Sequence, residues 1–442
     1  MGYKMDRRDF SKLSALTGLG LVSGSSIHAL ANSANSKVVL AVAGIHSRGL
    51  ELSTKFLSLN NVEIKYVVDV DSRFLPKAAD RVEQKQGKRP QEIKDFRKAL
   101  DDKDVDGLVI ATPEQWHAPM AIEAAKAGKH SYVEKPCSHN PAEGEMLIEA
   151  EKKYGKVMQM GSQRRSLKVA EQMIQEIHEG LIGEVYFART WYARKRGPIG
   201  MGKVISVPSY LDWDLWQGPA PRTDYRDNVH PYNWHWFWAW GTGESLNNGT
   251  HELDIARWGL GVDYPSKVTS LAGRLHYPGQ DDWEFFDTQN ITVEFPEKKM
   301  VTWEGISGQA VNTCGGDRGV MFSGTKGRIE YLSSSYKVFD LDGKLISEVA
   351  GLRKSADDTN TTDPGLEDYH AQNFIDAILG KDTANAPMTE GHKSVLLGHL
   401  GNIAAKTGTL LNCNPKNGHI IDNPEAEKMW SRQYEPGWEP KV

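Results

Sequence analysis

Residues 38–49 read Val38-Val39-Leu40-Ala41-Val42-Ala43-Gly44-Ile45-His46-Ser47-Arg48-Gly49, and this stretch decides the fold. Its first six residues are all apolar, which is typical of a strand that is covered on both faces in a parallel sheet. Gly44 and Gly49 fit the first and third glycines of a G-x-G-x-x-G turn, where one makes a tight turn and the other lets a helix approach the strand. We therefore predict the first strand, turn and helix of a parallel α/β sheet.

The same alternation continues along the chain to about residue 161. A second apolar strand from Val62 to Val68 ends in Asp69, and a later one from Gly107 to Pro113 precedes a helix from His117 to Ala127. Strands separated by helices of this length imply right-handed connections and a parallel sheet. The predicted fold class is α/β, with an N-terminal Rossmann dinucleotide-binding domain over residues 36–161.

The pattern changes in the second half of the chain. Alternating strands appear from Glu184 to Trp191 and again between Ser266 and Leu332, and short turns such as Pro296 to Lys299 connect neighbouring strands. Such connections favour antiparallel pairing. We predict a C-terminal α+β domain with a large, mostly antiparallel sheet over residues 162–412, followed by a tail on the surface at 413–442.

The turn after the first strand carries the features of a cofactor site, with one departure. His46 stands where the middle glycine normally lets the backbone approach a pyrophosphate. The helix start still presents N–H groups to a phosphate, and Ser47 and Arg48 could add contacts. Asp69 lies where an acidic side chain binds the ribose 2′-hydroxyl and would repel a 2′-phosphate, so NAD is favoured over NADP. The alternative is a Rossmann-like domain that has lost its cofactor.

Glu134-Lys135-Pro136 follows the apolar strand His130 to Val133. This position puts Lys135 at the carboxyl edge of the sheet, where open α/β folds hold their ligands. A lysine there could donate to a sugar hydroxyl and stabilise the charge that develops as that hydroxyl becomes a ketone. The alternative is a solvated lysine at the end of a strand.

Bulk properties exclude several classes of protein. A length of 442 residues favours two domains, and 58 acidic against 53 basic residues give a net charge of -5, which disfavours a nucleic-acid surface. The three cysteines have no CxxC spacing, so we expect neither a disulfide framework nor a metal site. No apolar run reaches the roughly 18 residues of a membrane-spanning helix.

The N-terminus resembles a twin-arginine export signal over residues 1–31. Asp6-Arg7-Arg8-Asp9-Phe10-Ser11-Lys12 precedes a mildly apolar stretch, and Ala29-Leu30-Ala31 offers a cleavage pattern of small residues. The alternative is a basic N-terminus that arose by chance. The resemblance implies recognition by the twin-arginine export machinery and an exported, periplasmic bacterial protein. Because free NAD is scarce outside the cytoplasm, the cofactor would be loaded before export and held through turnover.

Several motifs in order resemble those of the Gfo/Idh/MocA oxidoreductases, a family that includes glucose–fructose oxidoreductase and inositol dehydrogenases. The resemblance runs from about Lys37 to Gly408. Besides the glycine turn, Asp69 and Glu134-Lys135-Pro136, the motifs are Thr112-Pro113-Glu114-Gln115-Trp116-His117, Met160-Gly161-Ser162-Gln163-Arg164-Arg165, Gly243 to Trp258, Ser323-Gly324-Thr325-Lys326-Gly327 and Gly391-His392-Lys393.

The resemblance assigns roles to individual residues. Lys135 would contact both nicotinamide and substrate, and His251 would be the proton carrier of a pattern like D-x-x-x-H-x-x-D, here Asn247 to Asp254. The alternative for His251 is a buried structural histidine. Asn247 stands where many members have Asp, and an amide cannot hold an imidazolium by charge. The resemblance also implies a homo-oligomer.

The predicted site therefore consists of three sets. The catalytic residues are Lys135 and His251. The substrate-binding residues are Arg164, Tyr232, Trp234, Asn247 and Asp254. The cofactor-binding residues are Gly44, Ile45, His46, Ser47, Arg48, Gly49, Asp69, Thr112, Pro113, Trp116, His117, Glu134, Lys135 and Gln163.

Tryptophans are concentrated between positions 213 and 240. They are Trp213, Trp216, Trp234, Trp236, Trp238 and Trp240, out of 13 in the chain. Flat rings stack on the apolar faces of sugars, but packing at a domain interface explains most of them equally well.

The sequence leaves three functional hypotheses. The first is an exported NAD-dependent oxidoreductase that acts on a sugar or glycoside hydroxyl with a tightly held cofactor. The second is a redox-neutral NAD-dependent glycosidase or lyase, in which hydride leaves a ring carbon and returns to it. The third is a non-catalytic sugar-binding protein, suggested by His46 and Asn247.

Overall fold

The computed structural model describes residues 37–350 and 366–442. The described residues belong to one compact unit that begins at Lys37. The export signal predicted at 1–31 lies outside them. Within the described ranges, no helix is both long enough and apolar enough to cross a membrane.

The first half of the chain folds around a six-stranded parallel sheet in the order β3-β2-β1-β4-β5-β6. Its strands are β1 (Val38–Ala43), β2 (Val62–Val68), β3 (Gln91–Ile93), β4 (Gly107–Ile110), β5 (His130–Val133) and β6 (Met158–Met160). The helices are α1 (Arg48–Phe56), α2 (Leu75–Gln86), α3 (Arg97–Leu100), α4 (His117–Lys126) and α5 (Pro141–Tyr154). The predicted Rossmann domain is confirmed.

Burial on both faces explains why β1 is apolar throughout. Val42 packs in one hydrophobic cluster and Ala43 in another, on opposite sides of the sheet. The strand ends at Gly44, whose N–H donates to Val68 O at 2.9 Å and whose φ of 80° lies in the left-handed region that favours glycine. The turn therefore fixes the start of α1 beside the end of β2.

The second half builds a ten-stranded sheet in the order β14-β13-β12-β11-β7-β10-β9-β8-β15-β16. Only the pair β7–β10 is parallel among the pairs between its described strands, so the predicted antiparallel character is confirmed. The strands are β7 (Val185–Ala193), β8 (Lys267–Gly273), β9 (Thr288–Phe295), β10 (Lys299–Ile306), β11 (Arg318–Gly324), β12 (Gly327–Tyr331), β13 (Ser335–Asp340), β14 (Leu345–Ala350), β15 (Leu411–Cys413) and β16 (Ile420–Ile421).

Helices cover one face of this sheet. Its strands alternate buried and more exposed residues, and the buried side chains, such as Trp303 and Phe322, pack under the helices. The helices of this half are α6 (Lys168–His178), α7 (Trp213–Gln217), α8 (Glu244–Asn247), α9 (Gly249–Leu260), α10 (Leu366–Ile378), α11 (Met388–Thr407) and α12 (Pro424–Glu427). Helix α11 contacts both α5 and β8, and so joins the two halves.

The residues predicted as a tail, 413–442, are tied to the rest of the molecule. Cys413 ends β15, and β16 extends the large sheet. Beyond them Arg432 pairs with the buried Glu143 of α5 at 2.8 Å, and the ring of Trp438 lies 5.5 Å from that of Trp116. This segment therefore packs against the Rossmann domain and does not merely lie on the surface.

Candidate active site

A cavity of about 520 Å³ lies at the carboxyl edge of the parallel sheet. Residues that follow β1, β2, β4 and β5 form one side of it, and residues from the end of β7, from α8 and α9, and from the turn at 230–235 form the other. This is the edge at which the sequence placed the site.

The glycine turn forms a close-fitting backbone cradle. A Cβ added at Gly44 would overlap the Ala111 carbonyl, and one at Gly49 would overlap the carbonyl of Gly44. Helix α1 begins directly after Ser47, whose side chain makes no capping hydrogen bond. A helix start of this kind can accept a phosphate, so the residues present fit a dinucleotide.

Asp69 is held in place at the end of β2. One carboxylate oxygen accepts the Ile45 N–H at 2.9 Å, and the other accepts the Asp71 N–H at 2.9 Å. Burial raises the pKa of Asp69 to about 6, although these hydrogen bonds oppose the shift. The carboxyl group lines the cavity beside the turn, in the position that fits a ribose hydroxyl.

His46, which stands in place of the middle glycine, packs its ring against an aromatic neighbour. Its ring centre lies 4.2 Å from that of Phe74, and burial lowers its pKa. Both rings line the cavity. The departure from glycine therefore adds an aromatic wall next to the cradle.

Most of the predicted cofactor residues line the cavity. They are Gly44, His46, Ser47, Arg48, Asp69, Thr112, Pro113, Trp116, His117, Glu134, Lys135 and Gln163. Ile45 and Gly49 do not line it, because both are buried within the turn.

Lys135 reaches across from β5 to the second half of the chain. Its Nζ donates to the backbone oxygen of Asn247 and lies 3.3 Å from the Oδ1 of the same residue. Burial lowers the pKa of Lys135, and the carboxylates of Glu134 and Glu114 oppose that shift. Glu134 in turn accepts Arg48 Nε at 2.7 Å. The ammonium group is therefore fixed at the cavity wall by Asn247.

His117 supports the turn that carries the lysine. Its Nδ1 lies 2.6 Å from Pro136 O, and its Nε2 lies 2.9 Å from Thr112 O. The buried ring thus connects the ends of β4 and β5. Its role is to position these two loops relative to each other.

His251 lies in the cavity wall on the first turn of α9. The ring is buried, and its Nδ1 has no hydrogen-bond partner among the described residues. Burial lowers its pKa well below 6.5, and the nearby cations Arg164, Lys135 and Arg318 lower it further. The imidazole is therefore neutral and faces a positive environment.

Two predicted substrate residues do not reach the cavity. Arg164 is buried and pairs with Glu252 at 2.7 Å. Asp254 pairs with Arg165 at 2.8 Å and accepts Ser162 Oγ at 2.6 Å. Their charges are used in buried ion pairs at the junction between the halves, so their assignment as residues that contact substrate is corrected.

The other predicted substrate residues, Tyr232, Trp234 and Asn247, do line the cavity. Of the six clustered tryptophans, Trp216 and Trp234 line it. The rest pack in hydrophobic clusters, with Trp236 stacked on Trp283 at 3.9 Å. Packing therefore explains most of the tryptophan run.

Sequence reasoning missed two features of the cavity. The first is Glu114, a buried carboxyl that accepts Thr242 Oγ1 at 2.5 Å and whose pKa is raised by burial. The second is a group of four basic side chains, Arg194, Lys195, Arg196 and Arg318, which we call the basic wall. The Arg-Lys-Arg run after β7 was a visible signal, but nothing local to Arg318 indicated that it would join that run.

Comparisons with known proteins agree with this geometry. Residues 14–162 match the model of an oxidoreductase family with an NAD-binding Rossmann fold, and residues 188–439 match the C-terminal alpha/beta domain of the same family. The chain belongs to the Gfo/Idh/MocA oxidoreductase family. The cofactor of this Gfo/Idh/MocA protein is NAD, as predicted.

Curated relatives of this Gfo/Idh/MocA chain include glycosidases. It is 26% identical over 212 residues to a glycosyl hydrolase family 109 protein of Shewanella baltica, covering 43% of this chain and 46% of the relative. It is 26% identical over 174 residues to an alpha-N-acetylgalactosaminidase of Shewanella oneidensis, covering 38% of each. The chain thus matches less than half the length of these relatives.

Solved structures resemble the Gfo/Idh/MocA chain over most of its length. An aldose-aldose oxidoreductase from Caulobacter crescentus in complex with glycerol is 19% identical with a TM-score of 0.63, covering 85% of this chain and 99% of the other. A levoglucosan dehydrogenase in complex with NADH and levoglucosan is 18% identical with a TM-score of 0.65 over the same shares. At this identity the likeness establishes the fold.

Proposed function

We propose that the chain is an exported oxidoreductase that removes hydride from a hydroxyl-bearing carbon of a sugar or glycoside and keeps its NAD through turnover. The observation that carries the proposal is the Lys135 ammonium. It is fixed against Asn247 in the same cavity as the glycine turn, Asp69 and the Trp234 ring. A dinucleotide cradle, a partly buried cation and a flat ring suit the oxidation of a sugar hydroxyl.

In this proposal the residues of the chain orient the hydroxyl and move its proton. Bound NAD supplies the hydride acceptor. Lys135 donates to the hydroxyl oxygen and stabilises the negative charge that develops there. Neutral His251 accepts the hydroxyl proton. Trp234, stacked on His235 at 3.5 Å, offers a rigid flat surface for the sugar ring.

The curated relatives favour a second candidate, a redox-neutral glycosidase or lyase. Two observations support it: the similarity to a family 109 glycosyl hydrolase and an alpha-N-acetylgalactosaminidase, and the buried Glu114. A carboxyl group whose pKa is raised by burial can donate a proton to a leaving glycosidic oxygen. The motif Glu134-Lys135-Pro136 serves either chemistry, because both begin with hydride removal.

One experiment separates these candidates from a sugar-binding protein. The purified protein is denatured, and the supernatant is assayed for NAD(H) by absorbance and mass. An empty protein with no measurable affinity for NAD would refute both enzyme proposals. With NAD bound, incubation with glycosides should yield a keto-sugar if the net reaction is oxidation. A released aglycone with the NAD unchanged indicates the redox-neutral route.

Export is supported by the twin-arginine pattern alone. Conservative replacement of the pair, Arg7→Lys with Arg8→Lys, should retain the protein in the cytoplasm of a bacterial host. Lys4→Arg is the matched control and should not alter export. Periplasmic recovery of the double variant would contradict the assignment. The homo-oligomer stays a prediction, which the molar mass in solution would test.

A further inference from the structure

The basic wall is built where two strands of the large sheet lie side by side. Strand β7 leads into Arg194, Lys195 and Arg196, and β11 begins at Arg318, which pairs in register with Tyr192. The sheet therefore brings all four basic residues to one side of the cavity.

Three guanidinium groups surround the ring of Tyr192. The guanidinium of Arg318 lies 5.1 Å from the ring centre and that of Arg194 lies 6.0 Å from it. Arg196 Nη2 approaches the Tyr192 hydroxyl at 3.4 Å. Cations repel one another at such distances, so each guanidinium in this group has to be held in place by a carboxylate partner.

Acidic partners hold these guanidiniums from behind. Glu244 binds Arg196 through two nitrogens at 2.6 and 3.3 Å, Glu252 binds Arg318 Nε at 2.9 Å, and Asp317 pairs with Arg194 Nε. None of these three acids lines the cavity. The acids fix the guanidiniums, while the cavity itself is presented with positive charge.

The remaining charges on this side do not neutralise the wall. Lys195 is exposed and forms no ion pair within residues 37–350 and 366–442, and Lys135 adds a further cation. The acids that line the cavity are Glu51, Asp69 and Glu134 beside the glycine turn, and Glu114. Burial favours the neutral form of Glu114. Positive charge is thus concentrated in a chain whose net charge is -5.

The surroundings of His251 show the same excess of positive charge. After burial, its pKa is lowered by Arg164, Lys135 and Arg318. A proton carrier in such a field becomes a cation only with difficulty. An anionic group brought into the cavity would offset these cations and let the imidazole accept a proton.

We propose that the substrate is an anionic sugar, whose carboxylate or sulfate ester binds the basic wall through Arg194, Arg196 and Arg318. This inference rests on the proposed oxidoreductase function and names the substrate class of the same site. Guanidinium groups suit such groups because their planar N–H pairs bind two oxygens at once. The large sheet carries the wall and the parallel sheet carries the glycine turn, so the two sets of residues line the same cavity from different halves of the chain.

The test compares sugars that differ only in charge. Protein with its NAD content measured is titrated by calorimetry with a hexopyranosiduronate, the parent hexopyranoside and its 6-sulfate, in gluco, galacto and manno series. Reduction of the bound NAD is followed in parallel. We expect an anionic sugar to bind about 10- to 100-fold more tightly than its neutral parent, as for loss of a charged hydrogen bond. The preference should shrink at high salt.

A variant of the wall and a matched control make the test specific. Arg194→Gln should lose most of the preference, and it should fold, because its partner Asp317 is about one-third exposed. Arg194→Lys should keep part of it. Arg189 lies on β7 and pairs with Glu304 outside the cavity, so Arg189→Gln should keep all of the preference.

The outcomes are distinguishable. Absence of NAD and of NAD affinity refutes the proposed function and the inference with it. With NAD bound, neutral sugars that bind and react as well as anionic ones refute the inference and leave the function standing. A calorimetric preference for the uronate or for the sulfate supports the inference and identifies the anionic group.

Discussion

Replacing Lys135 with methionine separates the chemical role of the ammonium group from its effect on stability. Burial lowers the pKa of Lys135, so folding disfavours its charged form. The change also removes the hydrogen bond to Asn247 O, which is worth about 1.5–3 kcal/mol for a charged donor. These effects oppose each other, and we expect the free energy of unfolding to change by about 1 kcal/mol or less.

Turnover of Lys135→Met should fall far more than stability. Loss of a group that orients the hydroxyl and stabilises its charge costs about 10²–10⁴-fold in rate. That factor corresponds to about 3–5 kcal/mol of activation free energy. The assay measures NADH formed per folded molecule, together with retained NAD(H) and the thermal midpoint. We expect NAD retention to persist, because the cradle at residues 44–49 is untouched.

Lys129→Met is the matched control. Lys129 is a buried lysine, and its Nζ donates to Asp102 O at 2.8 Å and Val105 O at 2.7 Å, outside the cavity. Its loss should cost about 1–3 kcal/mol of stability and leave turnover per folded molecule unchanged. Normal turnover in Lys135→Met, or an equal loss in both variants, would refute the catalytic assignment of Lys135.

Three further predictions concern the cofactor end and the proton carrier. Gly44→Ala should lose NAD binding and thermal stability, because the added Cβ would overlap the Ala111 carbonyl. Gly87→Ala is the control: Gly87 has a similar φ of 75° but open space around it, so this variant should lose only a little stability and keep NAD. Calorimetry measures the NAD binding, and thermal melting measures the stability. The pKa of Asp69 is raised from 3.8 to about 6 in the folded protein, so between these pH values the cofactor-free protein binds more protons than the unfolded chain. Its free energy of unfolding should therefore fall as the pH rises from 3.8 to about 6. Asp69→Asn should reduce this pH dependence in chemical denaturation and should weaken NAD binding at neutral pH. His251 should show no titration near pH 6.5 by NMR in the sugar-free protein, and an imidazolium seen there at neutral pH would contradict the neutral assignment.

Local patterns predicted the parallel sheet and the cofactor end of the cavity. Gly44, Asp69 and Lys135 each follow the end of a strand, and strand order alone brings such positions to one edge. The sequence pattern that identifies each of these residues lies within a few residues of it. The structure therefore places them where the sequence did.

The opposite side of the cavity could not be predicted in the same way. Arg318 meets the Arg194–Arg196 run only because β11 pairs with β7, more than 120 residues away along the chain. Arg164 and Asp254 were assigned from motif positions, but whether a charge faces the cavity or a buried partner depends on packing between the halves. Both side chains form ion pairs with buried partners, because an unpaired buried charge is costly in free energy.

The packing of the C-terminal segment has a consequence for how the protein is made. Arg432 donates to Gln115 O at 2.8 Å across a separation of 317 residues, and Trp438 packs on Trp116, whose ring is part of the cavity wall. Ribosomes add about 5–20 residues per second, so roughly 15–60 s pass between synthesis of these two partners. The domain that is translated first thus waits for residues 432–438 before Trp116 has all of its packing partners. A chain that has not yet reached residue 438 would present the Trp116 ring to the cavity without the aromatic packing behind it.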